Sequence, residues 1–275
     1  MNNLLSPSAI AQYRRDGYTH PHRVMTAEEA GGYLSKLEAF EKDLGAPVSG
    51  NYRQKTHLLF TWAEALIRHP KILDAVEDLL GPNLLCWSSG FFNKEPHTPN
   101  YVSWHQDATY WGLRPYDEVT AWLALTPSNT QNGAMRVIPG SHKEQVPHED
   151  SFAEVNMLSR GQEITVDIDE SRAVDLVLDP GEISLHHILT FHSSPPNASN
   201  ERRIGFAIRY VPPHVKQMGP IQDTATLVRG EDTEGYWELE PSPERDLDPP
   251  MIAYHKKIIA RQTKVLFDGT ARGRF

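Results

Sequence analysis

The segment Trp104-His105-Gln106-Asp107 places an imidazole and a carboxylate two residues apart. On an extended chain, side chains two apart leave the same face, so His105 and Asp107 could meet one metal ion. Spacing alone selects little. With 13 histidines and 36 acidic residues in 275, about two His-x-acid triplets arise by chance, and three are present. His142-x-Glu144 and His148-x-Asp150 follow the Pro139-Gly140-Ser141 turn among Lys143, Glu149 and Asp150, which reads as a solvated loop. His105 is flanked instead by Tyr101, Val102, Trp104, Tyr110 and Trp111. Those neighbours would exclude water, and a carboxylate taken out of water is costly unless it is paired or bound to a cation.

A two-histidine, one-carboxylate facial site needs a third ligand from elsewhere in the chain and leaves positions open for co-substrate and oxygen. Residues 186–192, His-His-Ile-Leu-Thr-Phe-His, offer His186, His187 and His192. After His192 come Ser193 and Ser194, and Arg203 opens a further apolar run. Two neighbouring strands could then place an imidazole and a guanidinium around one cavity, the guanidinium able to fork onto a carboxylate. The same two-His, one-carboxylate set also suits a zinc hydrolase or isomerase. A third reading is a non-catalytic jelly-roll binding module in which His105 and Asp107 only hydrogen-bond each other.

The elements that must hold these residues can be read from periodicity. Thr26 with Glu28 and Glu29 forms a cap and acidic first turn, followed by Tyr33, Leu34, Leu37, Phe40 and Leu44 at helical spacing up to Gly45. Ile72, Leu73, Val76, Leu79 and Leu80 predict a second helix that stops at Gly81-Pro82. From Leu84 the pattern changes to short apolar or alternating runs at 84–93, 119–125, 135–138, 173–178, 183–187 and 204–211. Asn132-Gly133, Pro139-Gly140 and Pro180-Gly181 separate them as turns. Strands at this spacing predict a mainly β jelly roll with flanking helices. The expected organisation is one domain over 1–275, with helices to about 82, a jelly-roll core at about 83–212 and a loop and helix at about 213–275. The chain is loop-like and acidic from Gly230 to Asp248, and the acidic loop from Glu231 to Glu240 reads as solvated surface or the edge of a lid.

Taken together, Trp104-His-Gln-Asp107, Asn132-Gly133 leading to Pro139-Gly-Ser-His142, and His192-x-Ser194 with Arg203 resemble the phytanoyl-CoA dioxygenase family of Fe(II)/2-oxoglutarate oxygenases. The likeness covers about residues 6–212, including Asp16-Gly17-Tyr18. It implies a double-stranded β-helix, cupin-like fold, with His105, Asp107 and His192 as iron ligands. It further implies that Arg203 and Ser194 anchor 2-oxoglutarate, with Lys94 as a basic residue near the co-substrate, and that O2 is consumed with succinate and CO2 released. His187 matches a structural position, and His186 is left to packing. Members that halogenate replace the carboxylate ligand by a small residue; Asp107 is present, which implies hydroxylation or a related oxidation.

Asn51-Tyr52-Arg53-Gln54-Lys55-Thr56-His57 is a basic cluster in an otherwise acidic chain. Asn51, Arg53, Lys55 and His57 are candidates to clamp an anionic or zwitterionic small molecule, such as an amino acid derivative or aminoalkylphosphonate. Tyr110 and Trp111, directly after the metal motif, are candidate pocket walls; Tyr101 and Trp122 read as core. A net charge of -9 argues against a nucleic-acid partner. Cys86 is the only cysteine, so no internal disulfide can form and a reducing compartment is expected. The first residues lack a charged start followed by an apolar core, and the chain has no apolar run of membrane-spanning length, so a cytoplasmic protein without a membrane partner is expected.

Overall fold

A computed structural model describes residues 4–219 and 222–267. The chain enters through α1 (Pro7–Asp16), β1 (Tyr18–Arg23), α2 (Ala27–Leu44), α3 (Thr61–Ile67) and α4 (Pro70–Leu80). The strands β2 (Leu84–Lys94) and β3 (Val102–His105), the short α5 (Ala108–Trp111), and β4 (Leu113–Arg114), β5 (Val119–Ala124) and β6 (Arg136–Val137) follow. Next come β7 (His148–Asp150), β8 (Gln162–Ile164), β9 (Val174–Asp175), β10 (Glu182–His187), β11 (His192–Ser194) and β12 (Arg203–Val211). The last elements are β13 (Lys216–Gln217), β14 (Thr224–Arg229), β15 (Glu238–Leu239) and α6 (Pro249–Leu266).

A seven-stranded sheet in the order β1-β10-β5-β12-β2-β14-β15 lies against a four-stranded sheet β3-β11-β6-β9. This is the mainly β, double-stranded β-helix architecture expected from the sequence. On β12 the outward residues Ile204, Phe206, Ile208 and Tyr210 join the helix-side core, together with Leu37, Trp62, Leu66, Ile72 and Val76. Tyr210 also donates its hydroxyl to Ile67 O at 2.9 Å, tying α3 to the sheet. The alternate residues Arg203, Ala207 and Arg209 face the interior cavity. Both faces of the sheet are buried, so the runs read as continuous rather than cleanly alternating.

The two helices with sequence-readable caps form where expected. Thr26 and Glu29 make a reciprocal capping box, and Gly45 ends α2 in the left-handed region at φ 75°. Among the described residues no helix is long and apolar enough to cross a membrane.

Two strands outside the range 83–212 also join the large sheet. β1 lies within the region assigned to helices, yet it pairs with β10, Tyr18 opposite His186. Its Pro21 and two histidines hid it, and a proline is tolerated there because β1 is the edge strand. β14 lies in the region read as loop and helix but extends the large sheet, Thr226 opposite Cys86.

Candidate metal and co-substrate site

β3 and β11 are antiparallel neighbours with His105 directly opposite His192, so two residues 87 apart in sequence share one rung. Their rings lie 4.0 Å apart between centroids. His105 Nδ1 is 2.9 Å from Ser103 O and 3.1 Å from His192 O, and His192 Nδ1 is 2.9 Å from Thr190 O. A carbonyl can only accept, so each Nδ1 carries the proton and each Nε2 presents a lone pair. Those Nε2 atoms lie 3.4 Å and 3.9 Å from the two Asp107 oxygens. One donor atom from each of the three residues falls within 4.8 Å of the others.

Asp107 starts the short α5, so the chain turns just after β3 and returns the carboxylate toward the imidazoles. Burial alone would raise its carboxyl; positive charge on the His105 and His192 side of the site outweighs this and holds it below the usual carboxylate range, and with both imidazoles neutral that charge would be a bound cation's to supply. Burial, followed by the charge of His105, pushes His192 well down, so it stays a neutral donor. Two neutral imidazoles and one ionised carboxylate on one side of a cavity suit a divalent ion with open positions.

Gln106, between the two ligand candidates, is fully buried and braced on every side. Its amide nitrogen donates to Glu144 O and Leu189 O, and its oxygen accepts from Val146 N. Its backbone N–H donates to His148 Nε2 at 2.9 Å. The 142–150 stretch is therefore not the free solvated loop that its polar composition suggests. It forms β7 and buttresses the metal motif from behind.

Arg203 lines the same cavity, and its register partner on β2 is the fully buried Lys94. Arg203 is 2% exposed, donates to Gly133 O, lies 5.3 Å over Trp122, and has an Nε without a partner. Burial pushes its guanidinium down to about 9. Lys94 Nζ donates to Ser194 Oγ at 2.6 Å, to Ser194 O at 3.0 Å and to Pro195 O. Burial and then the charge of Arg203 push it down to about 6. A buried guanidinium beside a buried amine with no carboxylate between them is costly to charge, and an incoming dianion would favour the charged form of both.

Two glycines make this corner possible. A Cβ on Gly133 would meet Pro195 O at 2.3 Å, and Gly133 has φ 77°. A Cβ on Gly205 would lie 1.9 Å from the Trp122 ring.

Matches to known proteins bear on what this site serves. The family model described as phytanoyl-CoA dioxygenase (PhyH) matches residues 13–205. The chain belongs to the phytanoyl-CoA dioxygenase family. A probable alpha-ketoglutarate-dependent hypophosphite dioxygenase of Stutzerimonas stutzeri is 29% identical over 221 residues, covering 72% of this chain and 76% of that protein. The apo structure of the non-heme monooxygenase ThoJ is 37% identical with a TM-score of 0.84, covering 94% of this chain and 97% of that one. CytC3 with Fe(II) and alpha-ketoglutarate is 28% identical with a TM-score of 0.67, covering 90% and 97%. The chain spans less than half the length of the peroxisomal phytanoyl-CoA dioxygenases it also matches. As a member of the family, it is a non-haem Fe(II) dioxygenase dependent on 2-oxoglutarate.

The cavity containing His105, Asp107, His192, Ser194 and Arg203 has a volume of about 640 Å³. Arg53, Tyr110, Trp111 and also Trp122 line it. Lys55 and His57 do not, which corrects the basic-cluster expectation. Lys55 is fully buried, its Nζ 2.5 Å from Glu240 Oε1, 2.6 Å from Trp87 O and 3.0 Å from Thr224 O. His57 Nε2 lies 2.9 Å from Glu240 Oε2, and its Nδ1 lies 2.7 Å from Ser89 Oγ. Glu240 is correspondingly no solvated residue of the acidic stretch but the anion of a sealed network. Asn51 is exposed and does not line the cavity.

Of the residues read as packing or not singled out, two stand near the site. His186 is buried with its ring 4.8 Å from His192, and burial pushes it down to about 4. Arg209 lines the cavity as well; the signal for it was available, since it lies six residues from Arg203 and period two puts both on one face.

Proposed function

We propose that this dioxygenase hydroxylates a small anionic or zwitterionic molecule, with His105, Asp107 and His192 holding Fe(II) and Arg203, Ser194 and Lys94 receiving 2-oxoglutarate. The observation that supports the reading is the presence in one cavity of a three-donor centre and the buried guanidinium of Arg203, with the Lys94 amine bonded to Ser194 of the cavity wall. A zinc hydrolase would leave Arg203 and Lys94 without an anion to bind.

In this proposal the iron, with 2-oxoglutarate and O2, supplies the oxidising power, and succinate and CO2 leave as co-products. The chain's own contribution is placement. Ser103, Thr190 and His192 carbonyls fix the imidazole tautomers. Arg203 holds the distal carboxylate, and Lys94 takes up a proton to neutralise it. Trp111, Phe92 and Trp122 wall the cavity and limit water at the reacting centre. Asp107 occupies the position that a halide would need, which favours hydroxylation.

For the substrate class, support comes from Arg53, whose guanidinium lies on the cavity wall, and from a relative named for hypophosphite. Coupled succinate release in air, screened over amino acids, aminoalkylphosphonates, betaines and acyl thioesters, tests the reading. An anionic or zwitterionic compound should stimulate release. Stimulation only by neutral compounds or acyl thioesters would reject the substrate class, and succinate release undiminished in His192→Ala would reject the ligand assignment.

A further inference from the structure

Arg203 is not the only guanidinium on the floor of the cavity. On β12 the inward positions run Arg203, Gly205, Ala207, Arg209, so the two arginines stand about 20 Å apart along the strand, given about 3.3 Å of rise per residue. The small residues between them keep the floor open.

Arg209 makes no salt bridge among the described residues, and its Nε is buried without a partner. Its guanidinium is 5.5 Å from the Phe92 ring centroid and 5.3 Å from that of Trp111, which follows the metal motif. Arg53 reaches the same ring: its guanidinium is 5.6 Å from the Phe92 centroid, and its Nε donates to Phe91 O at 3.1 Å. Arg53 likewise has no salt bridge among the described residues.

Two half-buried cations are thus gathered on one phenyl ring in the cavity wall, with no carboxylate among the described residues paired to either. Their proximity registers in Arg53, which burial and then the charge of Arg209 push down. Nearby acids do not supply the missing charge. Glu118 is fully buried and accepts from Thr120 Oγ1 at 2.8 Å, and burial followed by the charge of Asp107 raises its carboxyl. Of the cavity carboxylates, Asp107, which also feels the charge of Arg209, belongs to the metal centre, Glu154 is exposed at the rim, Glu95 pairs with Arg202 and Asp223 accepts from Trp87 Nε1. Like charges held together out of water are unfavourable unless an anion bridges them.

We infer that Arg53 and Arg209 form an oxyanion subsite for the primary substrate, a carboxylate or phosphonate, separate from the Arg203 and Lys94 end. The inference rests on the oxygenase reading above and makes Arg209 a specificity-determining residue. Two planar forks on one anion fix its orientation as well as its charge. The rest of the substrate is then directed past Trp111 toward the metal centre.

The test uses the whole chain loaded with Fe(II) and 2-oxoglutarate under argon, titrated calorimetrically with methylphosphonate and with acetate. The wild type should bind at least one; preference for methylphosphonate assigns a phosphonate, and preference for acetate a carboxylate. Arg209→Gln and, as a second variant, Arg53→Gln should each weaken that binding by about ten-fold or more, the loss expected for a charge-assisted bidentate contact. Both should keep their affinity for 2-oxoglutarate within about two-fold, whereas Arg203→Gln should do the reverse. Methylphosphonate or acetate should also raise the melting temperature of the wild type but not of either variant, a response that a merely structural arginine would not lose.

Three results would overturn the subsite. The wild type could bind neither anion, both variants could bind as the wild type does, or 2-oxoglutarate affinity could fall together with oxyanion affinity. Failure of the oxygenase reading looks different: no visible Fe(II)/2-oxoglutarate band forms, while arginine-dependent anion binding persists.

Discussion

Replacing Gly205 by alanine should damage the co-substrate corner without touching a charged group. The added Cβ would lie 1.9, 2.3 and 2.4 Å from three atoms of the Trp122 indole, and no left-handed φ is involved, so the effect is one of space alone. Backbone cannot yield in the middle of β12, which is paired on both sides. The indole must therefore move. Overpacking of this kind costs about 1–3 kcal/mol, or roughly 2–12 °C in melting temperature for a chain of this size. Displacing Trp122 also removes the ring 5.3 Å beneath the Arg203 guanidinium. A buried cation–π contact is worth about 0.5–2 kcal/mol, so 2-oxoglutarate affinity should fall between about 2-fold and 30-fold. Thermal melts and anaerobic titration of Fe(II)-loaded protein with 2-oxoglutarate measure both effects. Wild-type melting together with wild-type affinity would refute the claim that this close approach seats Trp122 under Arg203.

The remaining predictions concern buried charge. Lys55→Met should destabilise the fold by about 3–5 kcal/mol in urea denaturation, because Glu240 is left buried without its main cation; a loss below about 1 kcal/mol would contradict the sealed network. Lys94, pushed down to about 6, is mostly neutral at pH 8 and must gain a proton to pair with a dianion. Affinity for 2-oxoglutarate should accordingly fall as pH rises above about 6 and level off below it, with proton uptake seen calorimetrically in buffers of different ionisation enthalpy. Binding without proton uptake at pH 8 would count against Lys94. His148→Ala removes the acceptor behind Gln106 and should weaken Fe(II) binding by about 10-fold to 100-fold, as other outer-shell losses do; unchanged metal affinity in a competition assay would show that β7 does not position the centre.

Much of this architecture was legible from local chemistry. Thr26, Glu29 and Gly45 announce α2 by capping groups that act within one turn. The strand from Arg203 reads as apolar because its outward side packs on helices. His105 and Asp107 could be paired by alternation, while the family pattern selected His192; the backbone then set the two histidines on one rung. What could not be read depends on partners far away in sequence. Lys55 and His57 look like a free basic cluster until Glu240, about 185 residues later, is packed between them. Edge strand β1 carries Pro21 and two histidines, which give no strand signal without its partner β10. Arg209 stood in plain view, but only its lack of a salt bridge among the described residues makes it informative.

The most direct test of the central claim is an anaerobic absorption spectrum of the chain with Fe(II) and 2-oxoglutarate. A visible charge-transfer band should appear only when both are present, and it should be lost in His192→Ala and weakened in Arg203→Gln. No band in the wild type, or an undiminished band in His192→Ala, would contradict the assignment of His105, Asp107 and His192 as the metal centre.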